Sequence, residues 1–369
     1  MTSFDSLPAP AYGQRLENLG STLAAAELDG LLVGQPPNIR YLCGFSGSAG
    51  VLLVYASGQA LLVTDFRYEE QAAGQLPDQA GLVIAEDGLW KALGGCLADG
   101  TADLRLGFEA DWLTVADHKE LREHSPGHRW SETPARVAEM RVVKEPGEIA
   151  RLKIAAEIAE SALGETLTKV EEGARELELA AELEYQLRKA GSGRLPFEVI
   201  VAGGPRSSLP HAEPGERPVR EGDLLLFDFG ASYDGYCSDI TRTVVLGAPN
   251  SWQREAHGAV REAQLAAIEA IAPEVPASDV DRAARDTLDR YGLADRFGHS
   301  TGHGIGLEVH EGPRLSSRSK EVLQAGHVVT VEPGVYLPAR GGVRIEDDVV
   351  VEDAGRRSLT DFRRDLIEL

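Results

Sequence analysis

The sequence predicts two domains of different texture, an α/β domain over residues 1–132 followed by an α+β domain over residues 133–369. Three observations carry that expectation. At 369 residues the chain exceeds one ordinary domain, since roughly 150 residues is a common domain size. Its first third alternates short apolar runs with helical patterns, which is the signature of an α/β unit. Its remainder opens with long amphipathic helices and closes in strands that return as hairpins.

In the first third, Gly30 to Gly34 (GLLVG) reads as a buried strand. Val51 to Tyr55 and Ala60 to Thr64 flank Ser57-Gly58 and read as a hairpin. A helix over Phe66 to Ala73, a strand from Gly81 (GLVIAE), a helix near Leu89 to Leu97 and a strand from Arg105 (RLGFEA) follow. No GxGxxG follows a strand and no phosphate-binding loop is present, so nothing supports a nucleotide site.

The texture changes between about Ser131 and Lys144. Lys144-Glu145-Pro146-Gly147-Glu148 is a breaker leading into a long amphipathic helix that carries Ile149, Leu152, Ala155, Ala156 and Ile158 near helical spacing. A second helix covers roughly Arg175 to Ala190. Strands are expected near Phe197 to Ala202, Asp223 to Phe229 and Tyr236 to Leu246. Helices follow at Trp252 to Ile271 and Ser278 to Tyr291, and strands at Val328 to Val331, Gly334 to Leu337 and Val343 to Val351.

Composition excludes several function classes. The 59 acidic residues outnumber the 37 Lys and Arg to leave a net charge of −22, and such a surface repels phosphate backbones, so nucleic acid is not an expected partner. The three cysteines (Cys43, Cys96, Cys237) lie far apart with no CxxC spacing, which disfavours disulfides and thiolate zinc. No basic, apolar leader opens the sequence and no apolar run approaches the ~18 residues of a membrane span. A cytoplasmic protein without membrane partners is expected.

An internal repeat carries a set of carboxylates. Gly222, Asp228 and Gly230 recur as Gly326, Glu332 and Gly334, each offset by 104 residues. Each copy is a strand that turns back into a second strand bearing another carboxylate, Asp239 in the first and Glu346 in the second. Two quasi-equivalent hairpins related by a pseudo-twofold would account for this. Alternate residues of a strand share a face, and opposed residues in a hairpin have a constant sum of numbers. Asp228 and Asp239 are symmetric about Tyr233-Asp234, beside the turn signal Asp234-Gly235. A slide of two residues would leave them diagonal neighbours on one face. Glu332 and Glu346 centre on Ala339 and are expected side by side, unless Pro333 introduces a bulge.

Like charges paired across a sheet destabilise it, and an isolated buried charge costs several kcal/mol. The strand around Asp228 (LLLFDFG) is apolar on both faces and reads as buried. Protonation, arginine partners or metal ions must compensate. His303 lies in the glycine-rich stretch His299-Ser-Thr-Gly-His303-Gly-Ile-Gly-Leu-Glu-Val-His310, a loop or strand held close by its backbone. Four carboxylates and one imidazole balance two divalent ions. An oxygen-rich set with one nitrogen favours Mn²⁺ over Co²⁺ or Zn²⁺. Such a pair of ions generates a nucleophile from water and polarises a carbonyl.

Asp228, Asp239, His303 in GHGIGLEVHE, Glu332 in EPG and Glu346 in GVRIED resemble, in order, the five-ligand site of the pita-bread metallopeptidases. That family includes methionine aminopeptidase, aminopeptidase P and prolidase. The first third, with Asn38-Ile-Arg-Tyr-Leu-Cys-Gly-Phe-Ser-Gly47 and Thr64-Asp-Phe-Arg-Tyr68, is similar to the N-terminal domain of the proline-specific branch. The resemblance implies a creatinase-like N-terminal domain and a pita-bread catalytic domain. It implies that Asp228 chelates one metal, that Asp239 and Glu346 bridge both, and that His303 and Glu332 complete the second, Glu332 also accepting the proton of the attacking water. It places His211 and His299 on the proline side of the scissile bond and makes His310 a donor to the substrate carbonyl. Tyr336 matches a pocket tyrosine, and Arg344 an arginine that holds a carboxylate ligand.

The implied reaction is hydrolysis of the bond between an N-terminal residue and a following proline, in short proline-containing peptides. That bond is a tertiary amide without an N–H, so shape must supply specificity and the imino nitrogen must be protonated as it leaves. The chain is compact, with no obvious insertion to block longer substrates, and this favours a small aminopeptidase P over a dipeptide-restricted prolidase. Arg314, just after His310-Glu311, argues the other way, because it could pair with a free dipeptide carboxylate. A metal-free pita-bread module that binds peptides is the non-enzymatic alternative. The resemblance also implies a homodimer.

Overall fold

The computed structural model describes residues 7–98 and 103–369. The chain divides into two compact units, one spanning Ala9–Arg141 and the other Val142–Leu369 together with Leu7 and Pro8.

The first unit is built on a six-stranded mixed sheet. Its strands are β1 (Gly30–Val33), β2 (Gly50–Tyr55), β3 (Ala60–Asp65), β4 (Ala80–Ala85), β5 (Arg105–Glu109) and β6 (Arg129–Thr133), in the order β4-β3-β2-β1-β5-β6. The central β1–β2 and β2–β3 pairs are antiparallel and the outer pairs parallel. Helices α1 (Tyr12–Ala25), α2 (Pro36–Cys43), α3 (Glu69–Gln75), α4 (Leu89–Ala98), α5 (Val115–His124) and α6 (Arg136–Arg141) surround it. Leu32, Leu53, Val63, Trp90, Leu93, Leu106 and Leu121 form the core between sheet and helices. The expected strands and the hairpin are present, whereas α1, α2, α5 and β6 were not anticipated. Helix α2 opens on Pro36-Pro37, where fixed φ and a missing N–H suit the first helical positions. The residues that lead into it are held by buried Glu109, which lies on β5 and accepts from the N–H groups of Gly34 (2.8 Å) and Gln35 (3.0 Å). The segment 133–141, which the sequence reading assigns to the second domain, packs with the first: Arg141 donates to Asn38 at 2.6 Å and the Tyr41 hydroxyl to the carbonyl of Met140 at 3.2 Å.

The second unit repeats one plan twice. Helices α7 (Pro146–Leu167) and α8 (Glu176–Lys189) back a sheet of β7 (Ile200–Gly203), β8 (Leu224–Phe229) and, beyond the two-residue strands β9 (Ser232–Tyr233) and β10 (Tyr236–Cys237), β11 (Ile240–Val245), ordered β11-β8-β7. Helices α9 (Ser251–Ala270) and α10 (Ala277–Arg290) back a second sheet. It contains β12 (Gly302–Gly304), β13 (Glu311–Leu315), β14 (Val328–Val331), β17 (Asp347–Glu352) and β18 (Gly355–Ser358), with the ribbon β15 (Gly334–Leu337)–β16 (Gly341–Arg344) interposed. Each half has its own core. Ile158, Leu163, Leu183 and Leu187 meet Phe227, Phe229 and Val244 in the first; Val260, Ala263, Val280 and Leu288 meet Val329, Val331, Val349 and Val351 in the second.

The repeat is legible in individual hydrogen bonds. Gly222 and Gly326 both adopt positive φ (85° and 90°) before their strands. Gly222 N–H donates to Leu246 O, and Gly326 N–H to Val351 O. In return Leu246 N–H donates to Asp223 O, and Val351 N–H to His327 O. Odd-numbered residues of β8 and β14 face the helices of their own half, so Asp228 and Thr330 occupy the opposite faces, which turn inward. Strands apolar on one face for a helix pair and on the other for the second half explain the runs that look buried throughout. Among the described residues no helix is long and apolar enough to cross a membrane.

Candidate active site

The two hairpins place their carboxylates by register. In the first, Thr241 opposes Asp228 and Ile240 opposes Phe229, so Asp239 sits diagonal to Asp228 on the same face. The pairing is two residues away from the one centred on Tyr233-Asp234, because the tight turn is Asp234-Gly235 itself, with φ of 45° and 81° as a type I′ turn requires. In the second, Val331 opposes Asp347 and Gly334 opposes Arg344, leaving two residues on each strand between these pairs. Glu332 and Glu346 are therefore opposed, and Pro333 inserts no bulge. The single strand expected from Val343 to Val351 is broken at Ile345-Glu346, with β16 pairing β15 and β17 pairing β14.

His303 enters from the middle of β12. A Cβ on Gly302 would lie 1.9 Å from Thr330 O, and one on Gly304 would lie 1.9 Å from Gly312 O. Only glycines let β12 fit between β13 and β14, which fixes the histidine between them. Its Nδ1 lies 3.1 Å from Gly304 O and must donate there, so Nε2 carries the lone pair. That lone pair points at two more acceptors, Asp239 Oδ2 and Glu332 Oε1, both at 3.7 Å.

The electrostatics of this cluster are those of a cation site. Asp239 and Glu346 are 6 % and 2 % exposed, and Asp239 Oδ1 and Glu346 Oε1 have no hydrogen-bond partner. Ligand atoms of Asp239, His303 and Glu346 lie within 4.8 Å of one another. Burial first, and then neighbouring carboxylates such as Glu346 beside Asp239, raises both acids well above the carboxylate range. Burial pushes Glu332 up to about 8, opposed by Arg344. It pushes His303 down to about 4, which keeps the imidazole neutral. Converging acceptors, with Asp239 Oδ1 and Glu346 Oε1 left without a donor, fit a divalent ion.

A consequence is measurable. At pH 7 metal-free Glu332 holds a proton that a cation must displace, burial shifts Asp239 and Glu346 in the same direction, and neutral His303 releases none. Loading a divalent ion is expected to release protons and to tighten as pH rises toward about 8. Calorimetric titrations in buffers of different ionisation enthalpy read the proton count, and a count of zero at pH 7 would contradict the assignment.

Arg344 organises the wall behind the cluster. Its guanidinium donates to Asp228 Oδ2, to the Tyr336 hydroxyl (2.8 Å) and to Thr241 Oγ1 (3.1 Å). Thr241 in turn donates to Glu346 Oε2 at 2.6 Å. His299 Nδ1 donates to Ser300 O (2.8 Å), and its Nε2 accepts from the Tyr336 hydroxyl (2.8 Å). Burial holds His299 down to about 4 and Tyr336 up to about 12. His310 packs against His303 at a tilt, ring centroids 4.3 Å apart and planes inclined by 59°.

One cavity of about 840 Å³ is lined by all of the expected residues: His211, Asp228, Asp239, His299, His303, His310, Arg314, Glu332, Tyr336, Arg344 and Glu346. Arg314 opposes His303 across the β12–β13 ladder. Sequence reading missed Thr241, the cross-strand partner of Asp228, although it lies two residues from Asp239 and so shares its face. It also missed Asp348, whose Oδ2 accepts the Asp239 N–H at 3.1 Å; the alternation from Glu346 was the available signal. Glu311 was quoted only as His310's neighbour. It forms a buried ion pair with Lys144 (3.1 Å; side chains 5 % and 1 % exposed) and accepts from Glu308 N–H. Lys144→Met is expected to cost about 3–5 kcal/mol by stranding Glu311, read as a lowered denaturation midpoint; a change under about 1 kcal/mol would mean that the pair is solvated.

The family model for metallopeptidase family M24 matches residues 150–353, and that for the creatinase/prolidase N-terminal domain matches residues 15–143. The chain belongs to metallopeptidase family M24. Its catalytic unit thus has the pita-bread fold, preceded by an α/β domain of the creatinase/prolidase type. The chain is 36 % identical to an Xaa-Pro dipeptidase of Pyrococcus horikoshii, over 92 % of this chain and 95 % of the relative. A solved Xaa-Pro dipeptidase from Bacillus anthracis superposes with a TM-score of 0.93 at 39 % identity, covering 97 % of this chain and 100 % of that one. A solved X-Pro aminopeptidase from Thermotoga maritima superposes with a TM-score of 0.88 at 35 % identity, covering 96 % and 99 %.

Proposed function

We propose that this M24 peptidase is a metal-dependent Xaa-Pro dipeptidase. The observation that carries the dipeptide preference is Arg314. It stands exposed on the cavity wall across from His303, with no carboxylate in ion-pair contact among the described residues. A guanidinium so placed suits a free proline carboxylate, which a dipeptide offers and a longer peptide does not. The relatives described as Xaa-Pro dipeptidases support the same choice. This reverses the preference for a small aminopeptidase P that chain compactness alone suggested. Cleavage of longer peptides is the second reading, favoured by the T. maritima aminopeptidase.

Two divalent ions, with manganese expected, would supply an acidified water and polarise the scissile carbonyl. Asp228, Asp239, His303, Glu332 and Glu346 would hold them, Asp239 and Glu346 between both. Glu332 takes the proton from the attacking water and returns it to the imino nitrogen as proline leaves. His310 donates to the carbonyl oxygen. His211 and His299 flank the proline, and the apolar wall of Phe197, Ile200 and Val309 supplies surface for its ring. Arg344 and Tyr336 keep Asp228 oriented. The proposal carries homodimeric assembly and a cytoplasmic setting as expectations of the resemblance.

The test is hydrolysis of Ala-Pro beside Ala-Pro-Ala by wild type and Arg314→Met. The dipeptide should be preferred, and Arg314→Met should raise its KM roughly 10- to 100-fold while leaving the tripeptide little changed. Equal turnover of both peptides, insensitive to Arg314, would return the reading to aminopeptidase P.

A further inference from the structure

Behind the cavity wall, α10 grips the segment that carries His299. Asp281 and Arg285 lie one turn apart and pair through two contacts, Nε to Oδ2 at 2.8 Å and Nη2 to Oδ1 at 3.1 Å. Asp281 is fully buried. An ordinary helical i,i+4 pair is worth only a few tenths of a kcal/mol and lies on the surface, but both members of this one also bind a single neighbouring segment. Asp281 Oδ1 accepts from Thr301 Oγ1 (2.8 Å) and Thr301 N–H (3.2 Å). Arg285 Nη1 donates to Phe297 O (3.0 Å) and Nη2 to His299 O (2.5 Å).

Those contacts bracket His299 two residues to either side and hold its own carbonyl. The rings continue the same stack. Arg285 Cζ lies 4.4 Å from the Phe297 ring centroid, and Phe297 meets His299 edge-on, centroids 4.9 Å apart at 89°. His299 Nε2 then meets the Tyr336 hydroxyl.

We propose that Asp281 and Arg285 are positioning residues for His299, fixing the 297–301 backbone so that the imidazole stays at the Tyr336 hydroxyl on the cavity wall. The inference rests on the reading in which His299 contacts the proline side of the substrate. An arginine is required, because only its planar fork reaches a carboxylate and two carbonyls at once, while lysine offers a single nitrogen. Neither residue lines the cavity, so their effect passes through the 297–301 segment, where it reaches His299 and, through the Thr301 carbonyl that accepts the Glu332 N–H at 2.8 Å, the neighbouring carboxylate.

The test is a double-mutant cycle on the manganese-loaded enzyme with Ala-Pro. Arg285→Ala should lower kcat/KM roughly 10- to 100-fold, as a displaced positioning group does, with metal content unchanged, and Arg285→Lys should not rescue it. In a His299→Ala background the same change should cost less than about 2-fold, because the interaction it serves is gone. Thr301→Val, which removes one hydroxyl contact and spares the ion pair, should show a smaller loss that vanishes in the same way. This second cycle serves if Arg285→Ala fails to fold. Additive losses, or losses that follow metal content, would overturn the inference. Nitrogen NMR of the metal-free protein gives a readout independent of turnover: wild-type His299 should be a fixed Nδ1–H tautomer, and Arg285→Ala should average the two tautomers. A tautomer unchanged in Arg285→Ala would also overturn it. A wild type inactive on Ala-Pro would instead refute the substrate reading, leaving the NMR result to decide the positioning.

Discussion

Asp239→Ala is expected to abolish Ala-Pro hydrolysis, by at least about 10³-fold, and to release both ions together. Asp239 is almost wholly buried, with one oxygen near the His303 lone pair and the other without a hydrogen-bond partner. Its own N–H is held by Asp348. In the proposed site this carboxylate would serve both ions, so its loss would not be confined to one. Each lost ligand to a catalytic ion removes both affinity and the charge stabilisation that ion supplies. Elemental analysis after gel filtration and steady-state kinetics read the two effects. Unchanged turnover, or loss of only one ion with the other fully retained, would contradict a bridging role.

Glu332→Gln is expected to lower kcat roughly 10²–10⁴-fold, the range of a lost general base, with KM changed little. The amide keeps an oxygen toward the His303 side and preserves the opposition of residues 332 and 346, so ion content should fall less than in Asp239→Ala. What it removes is the ability to accept and return a proton. This separation is the point of the comparison: Asp239→Ala loses ions and turnover together, Glu332→Gln loses turnover first. A raised KM at unchanged kcat would show that residue 332 binds substrate and does not move the proton.

Much of the site was legible in sequence because it lies on strands. Period-two alternation fixes which residues share a face, so Asp228 with Asp239 and Glu332 with Glu346 could be paired before any fold was known. The second pair came out in the expected register. The first slid by two because the turn occupied Asp234-Gly235, a local choice of turn centre that alternation cannot specify. What escaped notice depends on contacts distant in sequence. The entry to α2 is held by Glu109 from another strand, Thr241 joins Glu346 to Arg344 across two hairpins, and Lys144 reaches Glu311 over 167 positions. None of these leaves a periodic mark. The repeat showed itself in one strand only, since helices α7–α8 and α9–α10 have kept their placement and core faces while their sequences diverged.

The proposed dipeptide preference turns on a single side chain that compactness of the chain could not weigh. Arg314 was visible as a counter-argument, but its position opposite His303 depends on the β12–β13 ladder, which the sequence showed only as a glycine-rich stretch.

The most direct test of the account is to strip the protein with chelator, return Mn²⁺ in measured amounts, and follow Ala-Pro hydrolysis against bound metal. Activity should be absent in the stripped protein and rise to saturation at two ions per chain. Inactivity of the fully loaded protein toward both Ala-Pro and a longer Xaa-Pro peptide, or no bound metal at all, would contradict it and leave a peptide-binding module.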